Sequence, residues 1–347
     1  MKYALFEHKQ SNLGLVNIGD HIQSCAAEQF LPHVDFYVER DHLNNPDYDK
    51  ALVIMNGWFT DAPHNWPPNP NLDPLFVSFH LQPTSAAIIL EKPENIDYLK
   101  KHQPIGCRDY RTVELLKNKG IEAYFSFCLT TTLDEKYKYT EGNREGIYMV
   151  DPLYGYDKNL LSKISFAEAL KGLSLSRLKK LIKLKDYFKK DKAKIEDYVP
   201  SSIIDKAESV EHYVDSKQST DELYRIARSI LKKYAKAELV ITSRIHCALP
   251  CLALGTPVLF VMEGLTDEKQ HMSRFRGILD HINILTTQSK AELNELFGKE
   301  MNVYHPDEVD FDNPPTNPES FRALSDALKE KCRAFIGQAE LKTESAH

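Results

Sequence analysis

The chain has 347 residues, 42% of them hydrophobic and 27% charged, with a formal net charge of −6. That length exceeds what one hydrophobic core usually serves and suits two domains of about 150 residues each. The composition is that of an ordinary globular protein and its negative sign argues against a general nucleic-acid binder, while no run approaches the ~20 apolar residues of a membrane span.

The amino terminus, Met1-Lys2-Tyr3-Ala4-Leu5-Phe6-Glu7-His8, breaks into charge at once and lacks a signal-peptide core, so the expected compartment is the cytoplasm. Apolar runs predict strands at 3–6, 35–38, 51–55, 75–79, 105–107 and 123–126, and helical spacing predicts helices at 20–30, 94–101 and 110–119. Residues 62–74 are rich in Pro and Asn and read as a long irregular loop. A polar turn at 140–146 precedes a new strand at 148–150. Beyond it the pattern predicts a helix at 220–236, a strand at 239–242, a helix closed by Gly255-Thr256-Pro257, a strand at 258–261, and helices at 272–281 and 290–297. A Pro-rich stretch at 313–318 leads into a last helix at 319–335. Repeated β-α alternation predicts parallel sheets flanked by helices. The expected fold is α/β, with two Rossmann-like domains facing a central cleft. The domains are placed at 1–140 (acceptor side), 141–312 (with a basic helical insert at 171–211) and 313–347 (a helix and tail).

Charge is unevenly spread. From Lys171 to Lys194 ten Lys or Arg stand against Asp186 and Asp191, a local net of +8 inside an otherwise acidic chain. Leu175, Leu178, Leu181, Ile182 and Phe188 fall near helical spacing. The segment is therefore a basic amphipathic helix that either lies on an anionic membrane surface or covers its own domain. The six cysteines, Cys25, Cys107, Cys128, Cys247, Cys251 and Cys332, form no CxxC pair and read as buried free thiols.

Chemistry concentrates at predicted strand ends. Ser243-Arg244-Ile245-His246 follows Leu239-Val240-Ile241-Thr242, placing a cation and a titratable imidazole at the carboxyl edge of a parallel strand. That edge is where open α/β sheets bind ligands and where helix amides favour anions. Gly106-Cys107-Arg108-Asp109 has the same design, with Asp109 as the expected cap of the next helix. Arg108 and Arg244 could meet across the cleft, their guanidinium forks suiting carboxylate or phosphate oxygens. After the first strand stands Asn17-Ile18-Gly19-Asp20-His21-Ile22-Gln23. Gly19 permits a tight turn there, and Asp20 is either a helix cap or a holder of substrate hydroxyls. His80 ends another apolar run and serves packing or substrate. Lys269, Arg274 and Arg276 could complete an anion pocket. Asp151 is a strand-end carboxylate with no partner visible in sequence. No GxGxxG or GxxxxGK[ST] is present, so neither a dinucleotide fold nor a P-loop is supported.

At these residues the chain resembles the polysaccharide pyruvyl transferase family. Three blocks carry the resemblance: Asn17-x-Gly19-Asp20-x-x-Gln23-x-x-Ala26; Cys107-Arg108-Asp109 with Cys128-Leu129-Thr130; and Ser243-Arg244-x-His246 with Ala253-Leu254-Gly255-x-Pro257. The third is the specific one. The blocks span most of residues 1–280, with 171–211 and the tail beyond Phe311 outside them. The resemblance implies a glycosyltransferase-B-like architecture and transfer of a carboxyethylidene group from phosphoenolpyruvate to sugar hydroxyls during surface polysaccharide (exopolysaccharide or capsule) synthesis. It implies that Arg108, Arg244 and His246 contact phosphoenolpyruvate. Ser243, Asn17, Gly19, Asp20, Gln23, His80 and Lys269 are expected, from their positions in the sequence, as further substrate contacts.

Phosphoenolpyruvate carries a carboxylate and a phosphate, which call for at least two cations. Ketal formation needs a proton delivered to C3, and His246, poised near neutral pH, is the expected general acid. The scheme requires no metal and no cofactor. The expected partners are phosphoenolpyruvate and a glycan acceptor, lipid-linked where residues 171–194 hold the enzyme at the inner membrane face. Two other readings share this frame: a nucleotide-sugar glycosyltransferase, for which no base- and ribose-binding set is found, and a non-catalytic glycan-binding partner, against which the Arg-x-His pair speaks.

Overall fold

The computed structural model describes residues 1–9, 14–153, 194–263, 265 and 271–344. Most of the basic segment at 171–194, and Lys269, lie outside the described residues.

The first half carries β1 (Lys2–Glu7), β2 (Leu15–Asn17), β3 (Phe36–Glu39), β4 (Ala51–Gly57), β5 (Leu72–Phe79), β6 (Ile105–Cys107) and β7 (Ala123–Phe125). Its helices of seven residues or more are α1 (Ile18–Glu28), α2 (Pro83–Ile89), α3 (Pro93–Lys101) and α4 (Tyr110–Lys117). The second half carries β8 (Ile147–Val150), β9 (Glu208–Val210), β10 (Tyr213–Asp215), β11 (Leu239–Thr242), β12 (Val258–Val261), β13 (Asn283–Leu285) and β14 (Val303–Tyr304). Its longer helices are α5 (Thr220–Lys236), α6 (Ile245–Leu254), α7 (Lys290–Phe297) and α8 (Arg322–Glu344).

Two six-stranded sheets result, ordered β3-β1-β4-β5-β6-β7 and β14-β13-β12-β11-β8-β9, every pair parallel. Central strands of such sheets are covered on both faces, so they read as unbroken apolar runs rather than alternating ones. All seven residues of β4 are buried, as are all four of β11 and of β12.

The halves are joined by an antiparallel ribbon of β2 with β10, in which Asn17 faces Tyr213. The Ile18 amide then donates to the His212 carbonyl at 2.7 Å. Helix α5 packs on α1, and its buried Tyr224 donates to the Phe6 carbonyl of the first sheet while Thr220 donates to Glu7 at 2.7 Å. One apolar cluster consequently runs through both halves. Helix α8 packs back on the first half, where Ser325 donates to the Thr131 carbonyl at 2.9 Å and Lys329 pairs with Asp134 at 2.9 Å.

Several elements differ from the sequence reading. Helix α1 begins at Ile18, and Asn17 rather than Asp20 caps it, accepting from the Gly19 amide at 3.1 Å. The expected helix at 272–281 is reduced to a turn at Ser273–Phe275 and a 3-10 turn at Leu279–His281. Gly277, at φ +89°, interrupts it. The stretch 171–211 is not a purely helical insert, because β9 within it is an edge strand of the second sheet. Strands β2, β9, β10, β13 and β14, each two or three residues long, went unread.

Candidate active site

Side chains of opposite charge and several histidines gather where the carboxyl edges of the two sheets meet. The residues just past β1, β3, β4, β5 and β6 are His8, Arg40, Trp58, His80 and Arg108. Those past β8 and β11 are Asp151 and Ser243-Arg244. In each sheet the chain reverses its direction of travel once, between β1 and β4 and between β8 and β11. Ligands in open α/β sheets sit outside the carboxyl ends at such switch points. The Arg-x-His motif stands at the second of them.

The local fold of that motif follows from a proline. Pro250 lies four residues beyond His246, so it has no N–H for the His246 carbonyl and its ring crowds that carbonyl. His246 accordingly leaves helical geometry, with φ −82° and ψ 17°, although it sits inside α6. The helix ends at Gly255 in the left-handed region at φ +67°, the αL cap expected from the Gly-x-Pro signal.

His246 Nε2 lies 3.0 Å from Arg108 Nη1. A guanidinium only donates, so the imidazole accepts at Nε2 and its proton resides on Nδ1. Burial, then Arg108, Arg274, His212 and His80, hold the His246 pKa well below the ordinary histidine value. Arg108 is 2% exposed, and its other partner, the Gln23 Oε1 at 3.1 Å, is also neutral. Its burial pushes the guanidinium below its ordinary value. Among the described residues no carboxylate lies within ion-pair distance of Arg108 or Arg274, and the Nε of each is buried without an acceptor. Arg108 remains charged under any physiological condition. Two cations, Arg108 fully buried and Arg274 partly so, thus act on one imidazole with no counter-ion among the described residues.

Gln23 is held for this task. Its Nε2 donates to Asp20 at 3.1 Å while its Oε1 accepts from Arg108. Gly57 closes β4 at φ +84°, and a Cβ there would stand 2.2 Å from the Gln23 Oε1. Asp20 pairs with Arg40 at 3.3 Å. Burial raises the Asp20 pKa, against the opposing fields of Arg40, Arg108, Arg244 and Arg274. Those four arginines come from both halves of the chain. Arg40 also faces Asp41 at 3.4 Å and covers the Trp58 ring at 5.1 Å. Gly19 is helical rather than a turn residue, and its lack of a side chain serves close approach: a Cβ would come within 3.2 Å of both His212 and His246.

Arg244 is engaged differently. Its Nε donates to Asp151 at 2.8 Å in a buried ion pair, and its guanidinium lies 4.5 Å over the Tyr213 ring. Asp151, at φ +42°, also accepts from the His212 amide at 3.2 Å. The Ser243 hydroxyl lies 2.7 Å from the carbonyls of both Pro152 and Val261 and ties strand ends together. His80 Nδ1 meets Asp109 at 2.6 Å. Asp109 caps α4 as expected, accepting from the Thr112 amide at 2.8 Å. All six cysteines are free and buried.

The structure therefore brings Asp20, Gln23, Arg108 and His246 into one connected set, with Arg274 beside it, while Arg244 and His80 each hold a carboxylate and Asn17 caps a helix. Sequence reasoning missed Arg40, Gly57 and His212. For Arg40 and Gly57 the readable signal was the end of a strand: each stands at the carboxyl edge of an apolar run. His212 follows a three-residue strand that left no such signal.

A two-sheet α/β protein with buried arginines and a neutral histidine gathered at its switch points is the class that fold and site define. A family model for polysaccharide pyruvyl transferases matches residues 17–263, and the chain belongs to that family, whose members are transferases acting on polysaccharide. No curated protein and no solved structure matches the chain. Among the described residues, no helix is long and apolar enough to cross a membrane.

Proposed function

We propose that this protein transfers a carboxyethylidene group from phosphoenolpyruvate to two hydroxyls of a sugar in surface polysaccharide synthesis, in a cleft of glycosyltransferase-B type. The observation that carries the reading is the contact of Arg108 with His246, flanked by Arg274, in a chain of this family. Phosphoenolpyruvate would supply the two anionic groups that Arg108 and Arg274 do not meet among the described residues. Arg244, oriented by Asp151, completes the cationic wall.

Neutral His246 is a proton acceptor, not yet an acid. Bound phosphate and carboxylate would draw Arg108 away from Nε2 and offset the fields of both arginines. The imidazole pKa then rises and His246 takes up a proton. Its delivery to C3 leaves C2 electrophilic. One sugar hydroxyl adds to C2 and loses its proton to the imidazole; a second hydroxyl displaces phosphate from C2 and loses its own. The balance is phosphoenolpyruvate plus a diol giving a cyclic ketal and inorganic phosphate. The basic stretch 171–194 would keep the enzyme at the cytoplasmic face of the membrane, near a lipid-linked acceptor.

Phosphate release from phosphoenolpyruvate, measured against a panel of free and lipid-linked glycans, tests the reading. Acceptor-dependent release that is lost in Arg108→Ala supports it. Absence of release with every acceptor, together with no binding of phosphoenolpyruvate, would end it.

A further inference from the structure

We propose that a cavity of about 380 Å³ between α4 and the segment 276–280 is a carbohydrate subsite. It would hold a sugar residue of the acceptor remote from the reacting hydroxyls. The inference rests on the pyruvyl-transfer reading for the identity of the acceptor, but its chemistry stands on the cavity itself.

Tyr110, Glu114, Arg276, Asp280, Phe297 and Lys299 line the space. Its position is the first argument. Tyr110 is two residues past Arg108 and Arg276 two past Arg274, so a short span of chain ties each wall to one of the two arginines. One wall belongs to each half of the chain, which puts the cavity at the rim where the halves meet.

Its chemistry is the second. Tyr110 is 42% exposed, an unusual level for a large ring, yet it is held rigidly: its ring stacks on Phe125 with centroids 4.4 Å apart. Gly277 allows that arrangement, since a Cβ there would stand 2.9 Å from both rings. An aromatic platform suits the C–H face of a pyranose, and the hydroxyl edge of a sugar asks for donors and acceptors together. Both are present. Lys299 pairs with Asp280 at 2.6 Å, and both residues line the space. Glu114 is exposed at the opposite wall, paired with Arg111 at 3.2 Å. The carboxylates balance much of the local positive charge, which disfavours a second phosphate and favours a polyhydroxyl ligand.

The test uses saturation-transfer NMR on the full chain with methyl glycosides of glucose, galactose, mannose and N-acetylglucosamine and their β-linked disaccharides. At least one of these should bind, with Tyr110→Ala weakening it about fivefold or more and Tyr110→Phe keeping it within about twofold, as loss and retention of a stacking contact require. Glu114→Gln, at an exposed position, should weaken the same saccharide without touching the fold. Failure of every panel member to bind, or equal binding by wild type and Tyr110→Ala, overturns the subsite. Phosphate release from phosphoenolpyruvate on the same samples separates the two readings. If release is present but Tyr110→Ala binds sugar normally, the subsite alone is wrong. If Tyr110-dependent sugar binding persists with neither release nor binding of phosphoenolpyruvate, pyruvyl transfer is wrong and the subsite stands.

Discussion

Arg108 Nη1 and His246 Nε2, 138 positions apart in the chain, are joined by a 3.0 Å hydrogen bond across the carboxyl edges of two separate sheets. The bond gives each residue a property it would not have alone. Burial first, and Arg108 after it, keep the imidazole neutral, and the neutral imidazole leaves the guanidinium charge uncompensated.

Removing that cation should raise the His246 pKa. With Arg108→Gln, an NMR titration of the His246 ring is expected to move upward toward the ordinary histidine range, because a positive charge in contact with Nε2 disfavours imidazolium. An unchanged or lower titration midpoint would show that burial alone sets the value. His246→Ala should lower turnover by ~10²–10⁴-fold while the protein stays folded, the usual range for a lost proton-transfer group.

Gly57→Ala should damage the site and the fold together. The new methyl group collides with Gln23 Oε1 and the backbone sits at φ +84°. We expect a loss of ~1–3 kcal/mol in denaturant unfolding and weaker phosphoenolpyruvate binding, read by calorimetry. A variant with unaltered stability and affinity would mean that Gln23 moves aside freely.

The Arg244–Asp151 pair makes a different demand. Asp151→Asn removes the carboxylate that meets Arg244 at 2.8 Å, and breaking a buried pair from one side costs about 3–5 kcal/mol. Arg244→Ala strands Asp151 in the same way, so its effect should combine lost stability with weaker donor binding. Urea midpoints for the single and double variants form a cycle. Additive losses would show that the two side chains do not depend on each other.

Buried neutral histidines predict acid sensitivity. Burial lowers the pKa of His21 from 6.5 to about 4 and of His212 to about 3, and pushes His8 down as well. These groups bind protons more weakly in the folded chain than in the unfolded one. Their contribution is complete above pH ~6.5 and is lost as the pH falls from there toward the folded values. For His21 alone the loss is roughly 1.4 kcal/mol for each pH unit crossed in that window. Unfolding midpoints should fall steeply between pH 7 and pH 5, and His21→Phe should flatten that limb. A flat stability profile across the interval would contradict the burial of these rings as neutral species.

The basic stretch makes its prediction from charge alone. Binding to anionic vesicles should be measurable at low salt, fade as salt is added, and weaken when four of the lysines in 171–194 become Gln, since each cation near such a surface contributes ~1 kcal/mol. Flotation of the Gln variant equal to wild type would assign the charge to solvation only.

Much of the frame was legible in the chain. Long apolar runs such as 51–55 and 239–242 mark central strands because a parallel sheet is covered on both faces, and Gly255 with Pro257 marks where α6 must stop. The Arg-x-His motif could be placed at a strand end from the same local signals. Local sequence also determined why His246 leaves helical geometry, since Pro250 four residues on cannot serve its carbonyl. What only the tertiary structure decided is which charges stay unpaired. Arg108, Arg244 and Arg274 look alike in sequence, yet Asp151 meets Arg244 and no described carboxylate meets the other two. That outcome depends on strand order, on the β2–β10 ribbon and on the approach of α6 to Gly19, all of them contacts between distant residues. Spacing along a chain carries the period of a helix or strand, whereas counter-charge and burial are set by what the fold brings alongside.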